Sequence, residues 1–263
     1  MNQTHSVGSA GAFLFRPRSW RRVLRFAGFA TVAAFSPSTY TQQAREVAVR
    51  QIYFTAWQIL PGYAAITALL SLLLIEVVVD SARRYGVTQY SLELVLRVLV
   101  LELVPLMTAL FVALRSGAAI GAEIALMSVR GELEDKEEAE ASPLHAELMP
   151  RIAGAALSVA SLTTLGCLIA VWLAYVEFYG FTAAALPEFS PIVRNVFDGL
   201  ELATFCLKCL LFGLAVAIIP AATALEAERG VINSLPAVVL GGLIKLFFVI
   251  LAVEVATLMV KYV

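Results

Sequence analysis

Two charged residues stand inside apolar stretches that are long enough to be membrane helices. Glu102 lies within residues 98–114 (VLVLELVPLMTALFVAL), and Lys208 lies within residues 202–216 (LATFCLKCLLFGLAV). A charge at the centre of a bilayer costs ~2.5–3.5 kcal/mol on insertion scales, so such residues usually face protein or water and pair with another group. The two residues are therefore predicted to form a structural ion pair between helices or to line a polar site for a ligand.

The sequence has no pattern typical of covalent catalysis or of metal binding. It contains no Gly-rich phosphate loop, Ser-His-Asp set or zinc-ligand spacing, and His5 and His145 lie far apart. Cys167, Cys206 and Cys209 stand in apolar runs and are predicted to be buried thiols. A net charge of −1 gives no overall field that would attract nucleic acid. We expect no catalytic residue, cofactor or metal ligand in this chain.

The composition is that of an integral membrane protein. The chain has 263 residues, of which 60% are hydrophobic and 15% charged, and its mean hydropathy is +0.84. Soluble domains have about 45–50% apolar and about 25% charged residues. Because a bilayer needs about 20 apolar residues per helix, we predict an all-α polytopic protein with membrane helices near residues 59–79, 98–114, 152–176, 202–225 and 235–260. The short apolar segment 116–127 is read either as a continuation of the second helix or as a re-entrant bend.

The N-terminal part differs from the rest. Between residues 18 and 35, the arginines Arg18, Arg21, Arg22 and Arg25 recur at helical spacing, with apolar residues on the opposite face. This pattern predicts an amphipathic helix lying in the membrane interface; a soluble helix on a partner protein is the alternative. We therefore divide the chain into an N-terminal segment, 1–41, and a transmembrane domain, 42–263.

The distribution of basic residues predicts the orientation. Most loop lysines and arginines fall on the side of the N-terminus when five membrane helices are threaded through the sequence. Such residues mark the cytoplasmic side, so the N-terminus is predicted to be cytoplasmic and the C-terminus to lie across the membrane. Residues 177–199, which are rich in aromatic residues and proline, then form an external loop.

One stretch of small residues predicts a close helix contact. Gly117 and Gly121 form a GxxxG pattern, and small residues at this spacing let membrane helices approach closely. The neighbouring Arg115 and Glu123 are grouped with them as helix-packing residues.

The same region carries a more specific signal. Residues 105–127 (PLMTALFVALRSGAAIGAEIALM) resemble the signature P-L-x-T-A-L-x-V-A-x-R-S-G-x-A-I-x-A-E-[IL]-x-x-M of the MlaE/YrbE family of ABC-transporter permeases. Residues 49–54 are similar to the family's R-Q-[IL]-Y element. Glu102 matches the glutamate of its R-E-L-G-P motif, although Leu101 and Val104 replace the arginine and glycine. Lys208 matches the lysine of a G-L-x-K-S-x-x-F-G motif.

The resemblance implies a fold and a function. It implies the permease subunit of an ABC transporter that moves phospholipid or a related lipid between a bacterial inner membrane and a periplasmic MCE-domain carrier. The chain would form a homodimer, and ATP and Mg²⁺ would be bound by separate ATPase subunits. One alternative is a scaffold subunit without ATP coupling. A proton-driven carrier using Glu102 and Glu254 is disfavoured, because five helices give no inverted repeat of equal halves.

The resemblance also implies a lipid cavity between two protomers. Lys208 would meet a phosphate head group there, Glu102 would hold Lys208 in place, and Glu254 would serve packing. A stripe on the first helix would line the path of the acyl chains, although such a stripe can equally be a lipid-facing or packing surface. The substrate-cavity set is therefore Leu74, Val78, Ser81, Ala82, Tyr85, Glu102 and Lys208.

The loop after the second helix would dock on the ATPase. The coupling residues implied by the resemblance are Val129, Arg130, Glu132, Leu133 and Glu134. Six acidic residues stand between 131 and 140, where the family keeps several apolar ones. The run either forms a coupling helix matched to a basic groove, or is an ordinary solvated face with weakened coupling.

Overall fold

The protein is all-α in every part that the structure describes. The computed structural model describes residues 58–87, 90–130, 143–225 and 235–262, and these ranges contain helices and no strand. The helices are α1 (Gln58–Tyr85), α2 (Ser91–Val129), α3 (Pro143–Tyr179), α4 (Leu186–Val196), α5 (Gly199–Ala224) and α6 (Leu235–Tyr262). The predicted amphipathic helix at 18–35, and with it the proposed boundary at residue 41, lies outside the described residues.

Five of these helices are long and apolar enough to cross a membrane. The candidate spans are Leu60–Tyr85, Ser91–Val129, Gly154–Tyr179, Gly199–Ala224 and Leu235–Lys261. The prediction of a polytopic all-α membrane protein with about five spans is thus confirmed. We call the end of the bundle that holds Tyr85, Tyr179 and Lys261 the outer end, and the end that holds Val129 and Ala224 the inner end.

Helix α2 is longer than the sequence predicted. It begins at Ser91 rather than near residue 98 and continues without a break to Val129, so segment 116–127 is a continuation and not a re-entrant bend. Two π-helical segments, Leu96–Leu103 and Ala113–Gly117, lie within it. These wider turns absorb extra residues without ending the helix. The backbone at Gly117 is accordingly ordinary right-handed helix, with φ −61° and ψ −44°.

The core has three layers along the bundle. The layer nearest the inner end is built around Ile124 and Ile218, the middle layer around Phe212 and Leu246, and the layer nearest the outer end around Leu99. Helix α3 packs against both α1 and α5, and α5 packs along α6. The outward faces of the helices are also apolar, as expected for a bundle that contacts lipid.

The GxxxG pattern lies at a helix contact. A Cβ built on Gly117 would lie 3.4 Å from Cγ of Pro220 in α5, and one built on Gly121 would lie 3.5 Å from Cβ of the same proline. These are ordinary van der Waals distances. The side chains of Arg115 and Glu123 are exposed, and their role in helix packing stays a prediction.

The tightest helix contacts involve two other glycines. A Cβ on Gly213 would lie 2.9 Å from the carbonyl oxygen of Ala156 and 3.3 Å from its Cα. A Cβ on Gly166 would collide with the hydroxyl of Tyr63 and lie 2.8 Å from Cγ1 of Val104. The backbones of α3 and α5 therefore approach so closely that only glycine fits at 213. No GxxxG pattern marks either position.

Residues 177–199 are more ordered than the predicted loop. They contain a short 3₁₀ turn, Ala183–Ala185, and the helix α4. Phe189 of α4 is buried beneath the outer end, where its ring lies 5.1 Å from Tyr175 and 6.1 Å from Tyr179, in edge-to-face arrangements. Such aromatic pairs contribute about 0.5–1.5 kcal/mol each beyond their buried area, so α4 is a packed lid on the outer layer.

The close approach of α3 to α5 predicts how strongly alanine substitutions at different glycines lower the stability of the protein. We expect Gly213→Ala to lower the free energy of unfolding by about 1–3 kcal/mol, because the added methyl meets backbone atoms that cannot rotate away. Gly121→Ala makes only ordinary contacts, and Gly241→Ala meets no atom within 4 Å; both should be close to neutral. Thermal unfolding in detergent micelles measures the difference. Equal stability of the Gly213 and Gly241 variants would contradict the close approach.

Candidate functional site

Glu102 and Lys208 meet in the structure. Lys208 of α5 forms an ion pair with Glu102 of α2, and its Nζ also lies 3.0 Å from Oε2 of Glu254 in α6. The Lys208 side chain is only 2% exposed. The partner that the sequence analysis expected for Lys208 is therefore present. Glu254, which was assigned to packing, is a second carboxylate on the same lysine.

A second lysine extends this cluster. Nζ of Lys261, near the end of α6, lies 3.2 Å from Oε1 of Glu102 and 2.9 Å from Oε2 of Glu201 in α5. Arg97 of α2 binds the other oxygen of Glu201 at 3.0 Å and Glu93 at 3.0 Å. Each base thus contacts two carboxylates. We call the alternating series Glu93, Arg97, Glu201, Lys261, Glu102, Lys208 and Glu254 the charge ladder.

The charge ladder runs from the rim of the bundle into its interior. The side-chain exposure falls from 42% at Glu93 and 31% at Arg97 to 15% at Glu102 and 2% at Lys208. Partly exposed pairs contribute only about 0–1 kcal/mol each. Deep in the bundle, by contrast, a charge that loses its partner is strongly destabilising. The stability of the fold therefore depends on the inner pairs, whereas breaking an outer pair lowers the free energy of unfolding only slightly.

The first π segment places two ladder residues on one face of α2. Arg97 and Glu102 are five residues apart, which in an α-helix would separate their directions by about 140°. In the π segment Leu96–Leu103, hydrogen bonds join residues five apart, so the two positions stack on one side. Both side chains consequently reach α5, and Glu102 also reaches α6. The local irregularity of α2 is what aligns the ladder.

Helices α5 and α6 pack along α2 from Val104 to Val129, and they make few close backbone approaches to Leu96–Leu103. Long charged side chains connect the helices in the outer part instead, through Arg97–Glu201, Glu102–Lys261 and Glu102–Lys208. At Leu96–Leu103 the three helices are therefore joined by charged side chains rather than by close backbone contact.

The predicted cavity stripe on α1 divides into two groups. Leu74 and Val78 are half-buried against the outer core layer, and Ala82 is buried. Ser81 and Tyr85 are exposed, Tyr85 by 82%. Within the described chain the stripe therefore mixes buried and exposed positions and does not form one open surface. A cavity role for these five residues stays a prediction.

A groove continues the stripe toward the inner end. It lies between α1 and α2. Its lining is mostly apolar, with Leu70, Leu103 and Met107 among the walls. The Tyr63 hydroxyl lies 2.6 Å from Oγ1 of Thr108, and the buried Ser71 hydroxyl has no hydrogen-bond partner among the described residues. This groove was not predicted from the sequence, because its serine and threonine residues do not differ from those found in other membrane helices.

Two of the five predicted coupling residues, Val129 and Arg130, lie at the inner end. Val129 is buried in the inner core layer, and Arg130, which follows α2, is exposed. Glu132, Leu133 and Glu134 lie outside the described residues. Helix α3 begins at Pro143, so the acidic run joins two helices that both emerge at the inner end.

The cysteine prediction was wrong at one position. Cys209 is buried and Cys167 is half-buried, with its thiol 3.6 Å from the carbonyl oxygen of Val100, but Cys206 is exposed. Positions 206 and 209 are three residues apart in α5. Their side chains point in different directions around the helix. An apolar stretch of sequence does not by itself indicate which of the two is buried.

Comparison with known proteins gives one result. A family model described as Permease MlaE matches residues 48–260, which is most of the chain. A search of curated proteins finds no significant match.

The inner end of the charge ladder makes a prediction about stability. Lys208→Met leaves Glu254 without the lysine that contacts it, so we expect the free energy of unfolding to fall by about 3–5 kcal/mol. The double variant Lys208→Met with Glu254→Gln removes that uncompensated carboxylate and should recover at least half of the loss. Denaturant unfolding in detergent micelles measures both.

A matched control is Arg84→Met, which breaks the exposed pair between Arg84 and Asp80 in α1, 2.8 Å apart. Its effect should stay within about 1 kcal/mol. If Lys208→Met were no more harmful than this control, Lys208 would not be holding the buried carboxylates.

Proposed function

The chain belongs to the MlaE permease family, and from this premise we propose that it is the membrane subunit of an ABC transporter that moves phospholipid or a related lipid. In this proposal the lipid passes between a bacterial inner membrane and a periplasmic MCE-domain carrier. ATP and Mg²⁺ bind to separate ATPase subunits. The chain acts as a homodimer, with its N-terminus in the cytoplasm and its outer end facing the periplasm.

The observation that carries the proposal is the charge ladder, which joins α2 to α5 and α6 at the outer end. Charged side chains inside a membrane protein are energetically costly and usually mark a pathway for a ligand or an ion. Here seven of them extend from the rim to the buried Lys208. A lipid carries a polar head group, which suits the ladder, and apolar chains, which suit the apolar side of α1.

The polar part of the lipid would meet the ladder. Glu102 stands at its centre, between Lys208 and Lys261. Lys208 is enclosed by Glu102 and Glu254, so it can contact a phosphate only after one of these carboxylates moves aside. Lys208 is therefore a buried anchor for Glu102 in the described conformation, and a phosphate contact belongs to a later step of transport.

The acyl chains would follow α1. Leu74, Val78 and Ala82 lie on the side of α1 that faces the outer core layer, and the groove between α1 and α2 continues the same path inward from Ser71. The walls of the groove are mostly apolar, as the walls of ligand pockets usually are. Hydrocarbon chains need no hydrogen-bond partners, so such a surface suits them.

ATPase coupling would occur at the inner end. Val129 anchors the end of α2 in the core, the exposed Arg130 follows it at that end, and the acidic run comes next in the sequence. An ATPase with a basic groove would complement this run. The competing proposal is a scaffold subunit without ATP coupling, which the acidic composition of residues 131–140 favours.

Transport can be separated from folding with a neutralised variant. We expect Lys208→Met with Glu254→Gln to fold, because no carboxylate is stranded, but to transfer phospholipid at least about tenfold more slowly, the factor that corresponds to ~1.4 kcal/mol. The measurement is transfer of labelled phospholipid between proteoliposomes and the MCE carrier by the complete complex. Glu76→Gln, at an exposed carboxylate of α1, is the control and should transfer normally. Wild-type transfer by the double variant would exclude a role for this site in transport.

Coupling can be tested by reversing the acidic run. We expect Glu132→Lys, Glu134→Lys and Glu137→Lys together to release the ATPase and to reduce ATP hydrolysis to the rate of the free ATPase, since the charge complementarity is inverted. The measurement is co-purification and ATP hydrolysis with the tagged chain. The control reverses three exposed acids elsewhere, Glu76, Asp80 and Glu188.

Three outcomes are distinguishable in this experiment. Loss of the ATPase only with the 132–137 reversal supports coupling through this run. An ATPase that stays bound to the reversed chain excludes it. A wild-type chain that never purifies with an ATPase favours the scaffold function.

A further inference from the structure

We propose that the groove between α1 and α2 binds a phospholipid of the leaflet at the inner end of the bundle, with the head-group phosphate on Arg115 and an acyl chain along the groove. This orientation is opposite to that of a lipid whose head group meets the charge ladder at the outer end. The inference goes beyond the proposed function, because it adds a lipid-binding position that needs neither the ladder nor an ATPase. It follows from where an unpaired cation lies relative to an apolar groove.

Arg115 is an exposed cation on a membrane helix. Its side chain is exposed, and among the described residues its guanidinium takes part in no hydrogen bond or ion pair. It stands inside the second π segment of α2, Ala113–Gly117, and such segments occur frequently at functional sites. A charged group on a membrane helix needs a counter-charge or water. A counter-charge for Arg115 therefore has to come from outside the described residues.

The cation stands at the inner end of the groove. On α2 the groove is lined by Leu103, Met107 and Phe111, which recur every four residues and so lie on one face of the helix. Arg115 is the next position in this series, one turn closer to the inner end. The apolar wall of the groove thus leads directly to a guanidinium.

Arg115 also lies at the depth where lipid head groups are expected. The ring of Phe111 contacts the ring of Tyr63, with 5.6 Å between the centroids. Within the described residues, the membrane span of α1 begins one turn before Tyr63, at Leu60. Arg115 lies about 6 Å beyond Phe111 along α2, level with this beginning. A long arginine side chain near the end of a span extends its guanidinium to the head-group layer.

The groove fits the hydrocarbon of one leaflet. Its α2 wall, from Leu99 to Phe111, spans about 18 Å, and half of a hydrocarbon core is about 15 Å. Ile66 at its edge is exposed, so the groove opens toward the surrounding lipid. A guanidinium binds a phosphate through two parallel hydrogen bonds. A phospholipid therefore satisfies both the cation and the apolar wall, whereas a free phosphate would leave the groove empty.

The test is photo-crosslinking with two lipid probes. The full chain, with the subunits that purify with it, is reconstituted into vesicles that contain phosphatidylglycerol with a diazirine either in the head group or at the end of one acyl chain. Cross-linked peptides are mapped by mass spectrometry after illumination. We expect the head-group probe to label residues 114–123 of α2 and the chain-end probe to label the groove near Leu70 and Leu99. A lipid held only at the charge ladder would place the head-group label at the outer end.

Variants separate the charge from the groove. Arg115→Met should lower head-group labelling at 114–123 about fivefold, since one arginine near a membrane surface contributes ~1 kcal/mol to lipid binding. Arg115→Lys keeps the charge but loses the paired donors, so its labelling should lie between the two. Met107→Trp fills the groove and should lower the chain-end labelling. The matched control is Arg83→Met, an exposed arginine near the outer end of α1, which should label like the wild type.

The outcomes that contradict the inference are distinct from those that contradict lipid transport. Wild-type labelling of 114–123 in Arg115→Met would overturn the phosphate contact. So would a face covered by a second copy, detected as a disulfide-linked dimer of Ala119→Cys that the wild-type chain does not form. Transfer of phospholipid by the complete complex is measured separately and stands in either case. A complex that transfers no lipid, but is labelled at 114–123 only when Arg115 is present, would keep this site and contradict the proposed transport.

Discussion

The compensation of Lys208 is the interaction on which the rest of the site depends. An ammonium group that is almost completely enclosed in an apolar bundle must keep counter-charges in contact, and Glu102 and Glu254 provide them from two other helices. Once Glu102 is fixed in this way, its second oxygen is available to Lys261, which in turn reaches Glu201. The arrangement of α2, α5 and α6 at the outer end therefore follows from one buried lysine.

The architecture was largely readable from the sequence, because hydropathy reports directly on the length of a membrane helix. The five spans were found in this way. The GxxxG spacing of Gly117 and Gly121 predicted a close helix contact, and the structure shows that the partner is Pro220 of α5. The beginning of α2 was missed because Glu93 and Arg97 made that segment look polar. Their charges cancel only in the folded chain, where Arg97 contacts both Glu93 and Glu201. The Gly213 contact was missed because close approach of two backbones depends on the register between α3 and α5.

The site was predictable only in its deepest part. Glu102 and Lys208 stood out because each is isolated among apolar residues. Lys261 and Glu201 lie near the ends of their helices, where charged residues are common and carry little information. Their contact depends on how far α5 and α6 slide against each other, which one sequence does not reveal. The family signature in residues 105–127 indicated the fold and the class of protein, but these ladder residues lie outside that segment.

The length of α2 has a consequence for how the site responds to its medium. At about 1.5 Å per residue, the 39 residues of Ser91–Val129 span about 58 Å, almost twice the roughly 30 Å of a hydrocarbon core. The helix must tilt, or extend into the head-group layers, to fit this thickness. Glu93 and Arg97 near its outer tip then reach the aqueous boundary, whereas Lys208 stays within the apolar slab. Dissolved ions screen exposed charges over about 8–10 Å at physiological strength but act weakly on buried ones. The same series of ion pairs thus has a salt-responsive end at the rim and a salt-insensitive end in the interior.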